Sequence, residues 1–315
     1  MRACTVRADI VTENTVENTG DGCIAMNNNA FGTVSNNVLR RCNLGIGAGP
    51  SGGCNLPCPP QGCDQPCGNP RGTGGDTNST PFIVTGNTIE DCDYGMLLGW
   101  FGYKGRLGPM NTVISSNVVR RSRQAGIQYR GDEVDGAVII QGNQVIHSGY
   151  PNQVPPGPES RRPIDPNKPG YGRGIYAWAI QDVQINGNLV SHSLGPAISS
   201  VGAKHVVISS NLLVADGANM NTTGVEITGS TDVVVQGNDA RGFRTAIGAP
   251  NQGAKSDRIQ IRGNSLDATG GGEAISVGSD VKRVVIAGNT ITGGGCVSLQ
   301  GANASTRVQR DNECW

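Results

Sequence analysis

The segment VQINGNLVSHSLGPAISS, residues 183–200, carries the pattern that decides the fold. Val183 and Ile185 alternate with polar residues, Gly187-Asn188 interrupts, and alternation resumes over 189–192. After a break of small residues, a third short apolar segment follows from Ala197. Period-two alternation on pieces this short describes strands with one face inward and one outward. The same signature recurs in IVTGNTI (83–89), VISSNVV (113–119), IIQGNQV (139–145), VVISSNLL (206–213), VVVQGND (233–239), IQIRGNSL (259–266) and VVIAGNTI (284–291). Earlier copies stand in IVTENTV (10–16) and TVSNNVL (33–39). Asparagines 14, 37, 87, 117, 143, 188, 211, 238, 264, 289 and 312 mark the repeats, most of them 23 to 27 residues apart.

Each repeat holds three strand-like pieces: one before the asparagine, one after it, and a Gly- or Ala-led third such as GIQY, GIYAW or GVEI. Asparagine and glycine at the joint tolerate the left-handed backbone of a sharp bend, so the bend is expected at that pair. A coil of about 25 residues with three strands per turn predicts an all-β chain, a single-domain right-handed parallel β-helix of about ten to eleven turns over residues 1–315. Long loop insertions fall at about 48–80, 99–110 and 149–172. A propeller would need about 40 residues per unit, and a leucine-rich horseshoe a Leu-x-x-Leu-x-Leu signature. Residues 1–25 show no signal-peptide pattern and open on a repeat already under way, so a signal peptide and an N-terminal cap are expected to precede this sequence.

Composition removes other classes. Lys and Arg number 25 and Asp and Glu 25, a formal net charge of zero, which argues against a surface built on phosphate neutralisation, and so against nucleic acid as a partner. No segment approaches the roughly 18 apolar residues of a membrane span. The 48 glycines follow no triplet period, so the chain is not collagen-like.

Through its NxI…GI repeats the chain resembles the pectate-lyase-like superfamily of right-handed β-helices, along essentially its whole length. That resemblance implies the fold and implies acting on, or binding, carbohydrate. Members include polysaccharide lyases, glycoside hydrolases, uronate epimerases, phage tailspikes and adhesins, and fold does not choose among them. No member's motif is present: the nearest approach to the epimerase Asp-Pro-His is Asp165-Pro166-Asn167, which lacks the histidine.

Four of the 10 cysteines, Cys54, Cys58, Cys63 and Cys67, lie in a Gly/Pro-rich loop too poor in apolar surface to hold itself, so local disulfides are favoured over a zinc site. Cys42 and Cys92 lie five residues after their repeat asparagines and should stack about 4.8 Å apart, either bridged or as core residues. A Cys296–Cys314 bridge would pin the C-terminal end. Together these predict an oxidising location: secreted or extracellular, or periplasmic.

Aligned on the asparagines, outward positions form columns. Four residues after each asparagine stand Asn18, Arg41, Asp91, Arg121, His147 and His192, then only Ala or Gly at 215, 242, 268 and 293. Two of the three histidines thus fall in adjacent turns. A third-strand column reads Leu97, Gln128, Tyr176, Ser199, Glu226, with Arg130 and Trp178 two residues further along their strands. The excursion at 99–110 adds Trp100, Phe101, Tyr103, Lys104 and Arg106. Between Asp93 and Asp132 there are Lys104, Arg106, Arg120, Arg121, Arg123 and Arg130 and no acid, which predicts a positive groove.

Aromatic faces stack on sugar rings and Arg forks pair with carboxylates, so the predicted partner is an acidic polysaccharide or oligosaccharide bound by a monomer. For β-elimination at a uronate, a cation neutralises the carboxylate, a base removes the C5 proton and an acid protonates the leaving oxygen. His147, His192 and Tyr176, with Arg121, Arg130 or Arg173 as neutralisers, are the catalytic candidates. Trp178, Gln128, Arg173, Trp100, Tyr103, Lys104, Arg106, Arg120 and Ser199 are the substrate-binding ones. The expected cofactor is none, or Ca²⁺ held by Asp132, Glu133 and Asp135. Two alternatives stand beside the lyase: a non-catalytic carbohydrate-binding or cell-surface repeat protein, and a glycoside hydrolase using acids such as Asp91, Asp93 and Glu226. The arginine run could equally be a surface paired with Asp91 and Asp93, and Tyr176 and Trp178 could be covered by the Pro-rich insertion.

Overall fold

The computed structural model describes residues 9–27, 32–49, 82–99, 111–131, 137–150, 164–167, 170–215, 222–250, 255–269, 271–300 and 307–315. Among these residues all regular structure is β, and each strand pairs in parallel with its counterpart one repeat away. Three sheets result, of 11, 11 and 10 strands, each running in unbroken chain order. The architecture is a parallel β-helix. The insertion containing Cys54, Cys58, Cys63 and Cys67 lies outside the described residues.

One repeat shows the construction. Gln181–Asn186 belongs to the first sheet, Leu189–Ser193 to the second and Ile198–Val201 to the third. Val183 lies level with Val138 and Val206, Val190 with Val145 and Leu213, Ile198 with Ile175 and Val225. These side chains are fully buried. Aliphatic ladders therefore fill the interior, and so few aromatics suffice because each β-branched side chain packs on its own kind in the next turn. Near the start of several third strands glycine has a steric reason: a methyl group at Gly126 would collide with Val145 and with the Gly174 carbonyl of the next coil, whereas Ala197, Ala246 and Ala274 fill the equivalent position in later coils.

The bend falls at the expected pair. The left-handed residue is the one before each marker asparagine, for example Asn36 at φ 55°, Ser116 at 56° and Ser210 at 54°, with glycine at several other turns. The asparagine itself turns inward and is 2 % exposed or less from Asn37 to Asn289. Its Nδ2 donates to the Oδ1 of the next asparagine at 2.8–3.0 Å at every step from Asn14 to Asn312. Nδ2 also reaches main-chain carbonyls, as Asn143 does to Ile114 (2.9 Å) and Gln141 (3.1 Å). Each Oδ1 accepts a main-chain N–H besides, as Asn143 Oδ1 does from Asn117 N at 3.0 Å. A corner that would bury unpaired backbone groups is thereby satisfied from within.

A second left-handed corner separates the second and third strands. Asn18, Arg41, Asp91, Arg121, His147 and His192 all occupy it, with φ between 53° and 60°. These positions favour glycine, and Gly242 and Gly293 fill them in later turns.

Cys42 and Cys92 do stack, with Cys42 N donating to Cys92 Sγ at 3.4 Å, and both are fully buried. Cys42 is bridged, however, to Cys23 on the preceding third strand Gly22–Asn27, across a Cα separation of 5.7 Å. The Cys296–Cys314 bridge forms as expected.

Asn143→Ala should lower stability by about 2–4 kcal/mol, because it strands the buried Nδ2 of Asn117 and the Ile114 carbonyl. Asn312→Ala, at the end of the ladder, should cost clearly less. Denaturant titration of both variants checks the contrast, and equal losses would remove the ladder's assigned role.

Candidate functional site

The third sheet brings the expected column together. Leu97, Gln128, Tyr176, Ser199 and Glu226 lie in register across five successive strands, with Arg130, Trp178, Val201 and Thr228 level beside them. The ring of Tyr176 stacks on that of Trp178, with centroids 6.0 Å apart and planes 16° from parallel. A guanidinium caps each end: Arg130 lies 4.0 Å over Trp178 and Arg173 4.9 Å over Tyr176. The outward order is Arg130, Trp178, Tyr176, Arg173, two cations closing an aromatic pair.

Arg173 is held from behind. Its Nε donates to Ser199 Oγ at 2.8 Å and its Nη2 to Glu226 Oε2 at 2.9 Å, while Ser199 Oγ donates to the same carboxylate oxygen at 2.8 Å. The Arg173 and Glu226 side chains are only 19 % and 10 % exposed, so this ion pair works in a poorly solvated setting where its geometry is enforced.

Several expected contacts prove to be covered. Tyr176 is 3 % exposed, Gln128 5 % and Ser199 0 %. The backbone of Gly170, at φ 92°, lies directly against Gln128 Oε1 and the Tyr176 ring. Burial raises the Tyr176 phenol pKa, Glu226 adding to the effect and the positive charges of Arg173 and Arg130 opposing it. Tyr176 is thus a protonated, enclosed platform under Trp178 and Arg173. The outward presentation read from sequence is corrected for Tyr176, Gln128 and Ser199.

Three members of the arginine run are paired with acids, the alternative that the sequence left open. Arg121 Nε and Nη2 donate to the two oxygens of Asp91 at 2.6 and 3.0 Å, and this hydrogen bonding raises the guanidinium pKa. Arg123 pairs with Asp93 at 2.8 Å, and Arg120 approaches Glu90 at 3.9 Å. Helical stacking puts residues 90–93 beside 120–123, so acids distant in sequence neutralise the run. Arg121 is thus held by both oxygens of Asp91.

The corner column supplies the remaining chemistry. The rings of His147 and His192 have centroids 4.9 Å apart, and Tyr150 meets His147 edge-on at 5.8 Å. Both histidines are half-buried. Trp100, Tyr103, Lys104, Arg106, Asp132, Glu133 and Asp135 lie outside the described residues. Among the described residues no group of three or more His, Cys, Asp or Glu could hold a metal ion.

Two groupings escaped the sequence reading. Glu226 stood in the right column, but its link to Arg173 crosses two turns. On the first sheet, His205 lies between Asp182 (3.2 Å) and Asp232 (3.7 Å). Its signal was available, since residues 182, 205 and 232 each stand six before a marker asparagine.

Comparison with known proteins follows from this geometry. The family described as right handed beta helix region matches residues 74–240. Among solved structures, the periplasmic alginate epimerase AlgG, determined as a mutant, is similar at a TM-score of 0.64 and 12% identity, covering 92% of this chain and 62% of that one. A thermostable alpha-1,3-glucanase catalytic unit from Streptomyces thermodiastaticus has a TM-score of 0.47 at 11% identity, covering 97% of this chain and 61% of that one. The Dettilon tailspike protein has 0.47 at 14%, with coverages of 97% and 61%. This chain therefore spans less than two thirds of each, and at these identities the likeness concerns fold. No protein with a curated description matches in sequence.

Glu226→Ala should destabilise by about 2 kcal/mol or more by leaving Arg173 poorly solvated and unpaired, whereas Glu226→Gln, which keeps an acceptor, should recover part of the loss. Thermal or denaturant unfolding of both variants decides it; if the two behave alike, the Arg173 anchor is not what holds the column.

Proposed function

Because the chain belongs to the right handed beta helix region family, a scaffold that fixes no chemistry of its own, we propose from the site that it is a secreted carbohydrate-active protein. Its substrate would be an acidic polysaccharide lying on the outer face of the third sheet. The observation that carries this reading is the cluster of Tyr176 and Trp178 on one strand, with Arg130 of the neighbouring strand over Trp178 and Arg173 over Tyr176. Trp178 is its half-buried aromatic member, and Arg130, lying over the indole, is the cation that a sugar carboxylate would meet there. The disulfides Cys23–Cys42 and Cys296–Cys314 support an oxidising, extracytoplasmic location.

The reaction we favour is β-elimination at a uronate. His147 and His192 are the candidate bases, on a rigid corner of the same turns. Arg173, with Nε and Nη2 already committed, keeps Nη1 as the donor for a uronate carboxylate. Withdrawal of carboxylate charge acidifies the C5 proton, an imidazole accepts it, and the C4–O bond to the leaving sugar breaks as the double bond forms, the leaving oxygen taking up a proton from water. A second reading is binding without cleavage. It is favoured by the pairing of Arg121 with Asp91 and by the cover over Tyr176, which leave fewer groups for chemistry.

Alginate and other uronate polymers should be offered to the protein, with ultraviolet absorbance as the readout, because elimination creates an unsaturated uronate and hydrolysis does not. Absorbance should rise with a cleaved polymer. The double variant His147→Asn, His192→Asn should lose roughly 10²- to 10⁴-fold in rate. Trp178→Ala should weaken binding about tenfold, measured by retardation in polymer-containing gels. Retardation without absorbance would select the binding reading, and neither signal from any acidic polymer would end the proposal.

A further inference from the structure

The two histidines of the corner column form an arrangement with a use that needs no polysaccharide. Their flanking residues are locked in register, Ile146 with Ser191 and Ser148 with Ser193. Their backbones share the left-handed conformation, φ 58° and 55°. The two rings are therefore presented side by side by a scaffold that cannot spread them, which removes most of the ordering cost that bringing two ligands together would carry.

Their spacing is that of two imidazoles on one ion. A zinc-type metal sits about 2.0–2.1 Å from a ligating nitrogen, roughly 3.2 Å from the ring centre, so a near-tetrahedral angle puts two ring centres about 5 Å apart. The observed separation is 4.9 Å, with the rings inclined at 48° rather than stacked flat. The ring itself signals a missing partner: His192 Nδ1 is shut off from solvent and makes no hydrogen bond. A buried polar atom in that state costs stability unless something satisfies it, and a shared cation would.

We propose that His147 and His192 form a two-histidine site for a divalent transition metal of the zinc, copper or nickel class. Imidazole pairs select such ions over Ca²⁺ and Mg²⁺, which prefer oxygen. The column offers no carboxylate next to the pair, since Arg121 precedes it and Ala215 follows. The remaining coordination positions would be reached only from the side of the half-buried His147 ring, by water or by an oxygen donor brought from outside. Two protein ligands give modest affinity, so the site would load and unload with metal supply. It also bears on the proposed chemistry without depending on it: an imidazole that has given its lone pair to a metal cannot accept a proton through that nitrogen.

Zn²⁺ titrated calorimetrically into the whole protein at neutral pH, with no polysaccharide present, tests the site. One equivalent should bind, Ca²⁺ should not compete, and acidification should release the ion because imidazole ligates only when neutral. His147→Asn and His192→Asn, which retain a residue type suited to the left-handed corner as Asn18 is, should each weaken binding about tenfold or more. His205→Ala on the other face should change nothing. Absence of binding in the wild type, binding insensitive to both corner variants, or binding lost only with His205→Ala would overturn the proposal. None of these outcomes touches the polysaccharide assay, so the two readings fail separately.

Discussion

The buried asparagine ladder is the constraint from which the rest of this molecule follows. A short-strand coil must turn sharply, and a sharp turn leaves main-chain groups facing an apolar interior with no water to meet them. Each marker asparagine solves that locally with its side-chain amide and, by reaching the asparagine of the next coil, sets the distance and register of the neighbouring turn. Because every step is made by the same residue in the same way, equivalent positions stack through the length of the coil whatever the length of the intervening insertion. Surface chemistry is then written in columns, and neighbours in space are residues about one repeat apart in sequence.

That rule accounts for the electrostatics. A like charge stacked directly on its own kind is unfavourable across paired strands, and many columns alternate: Glu17, Arg40, Glu90 and Arg120 in one, Asp182, His205, Asp232 and Arg258 in another. Hydrogen bonding carries the effect, as where Arg283 holds the Asp257 carboxyl down to about 2 while burial opposes it. The formal charge of zero is the sum of such pairings more than an absence of charged residues. Positions that break the rule then stand out. His147 on His192, and Tyr176 level with Ser199 but stacked on Trp178 under two guanidinia, gain nothing from charge alternation, and they are the groups to which function has been assigned.

The coil was legible because its signals are local: period-two alternation, a marker asparagine and a Gly-led third strand recur often enough to fix strand order and the register of every column. The exact left-handed position was not, since Asn, Gly and Ser all tolerate that conformation and only packing shows that the asparagine amide is worth more inside. The partner of Cys42 was missed because equal spacing from the marker pointed to Cys92, while Cys23 reaches it from a different strand of the preceding coil. The pairing of Arg121 with Asp91 stood only as an alternative because the two lie 30 residues apart. Loop contacts are the least legible of all: no pattern in the sequence places the Gly170 backbone on Tyr176 and Gln128.

These pairings change what recognition of an acidic polymer would consist of. A groove holding six uncompensated basic side chains would bind a polyanion through counterion release, with little preference among polyanions and a steep dependence on salt. Among the described residues Arg120, Arg121 and Arg123 of that run, and Arg173 beside it, each face a carboxylate, so their share of the non-specific attraction is reduced. What remains is directional: an indole face of fixed orientation, a guanidinium lying over it, and an arginine whose Nε and Nη2 are already fixed by Ser199 and Glu226. Such a surface discriminates by the position of a carboxylate relative to a sugar ring, and its affinity would rest on stacking and hydrogen-bond geometry, which salt screens far less than it screens exposed charge.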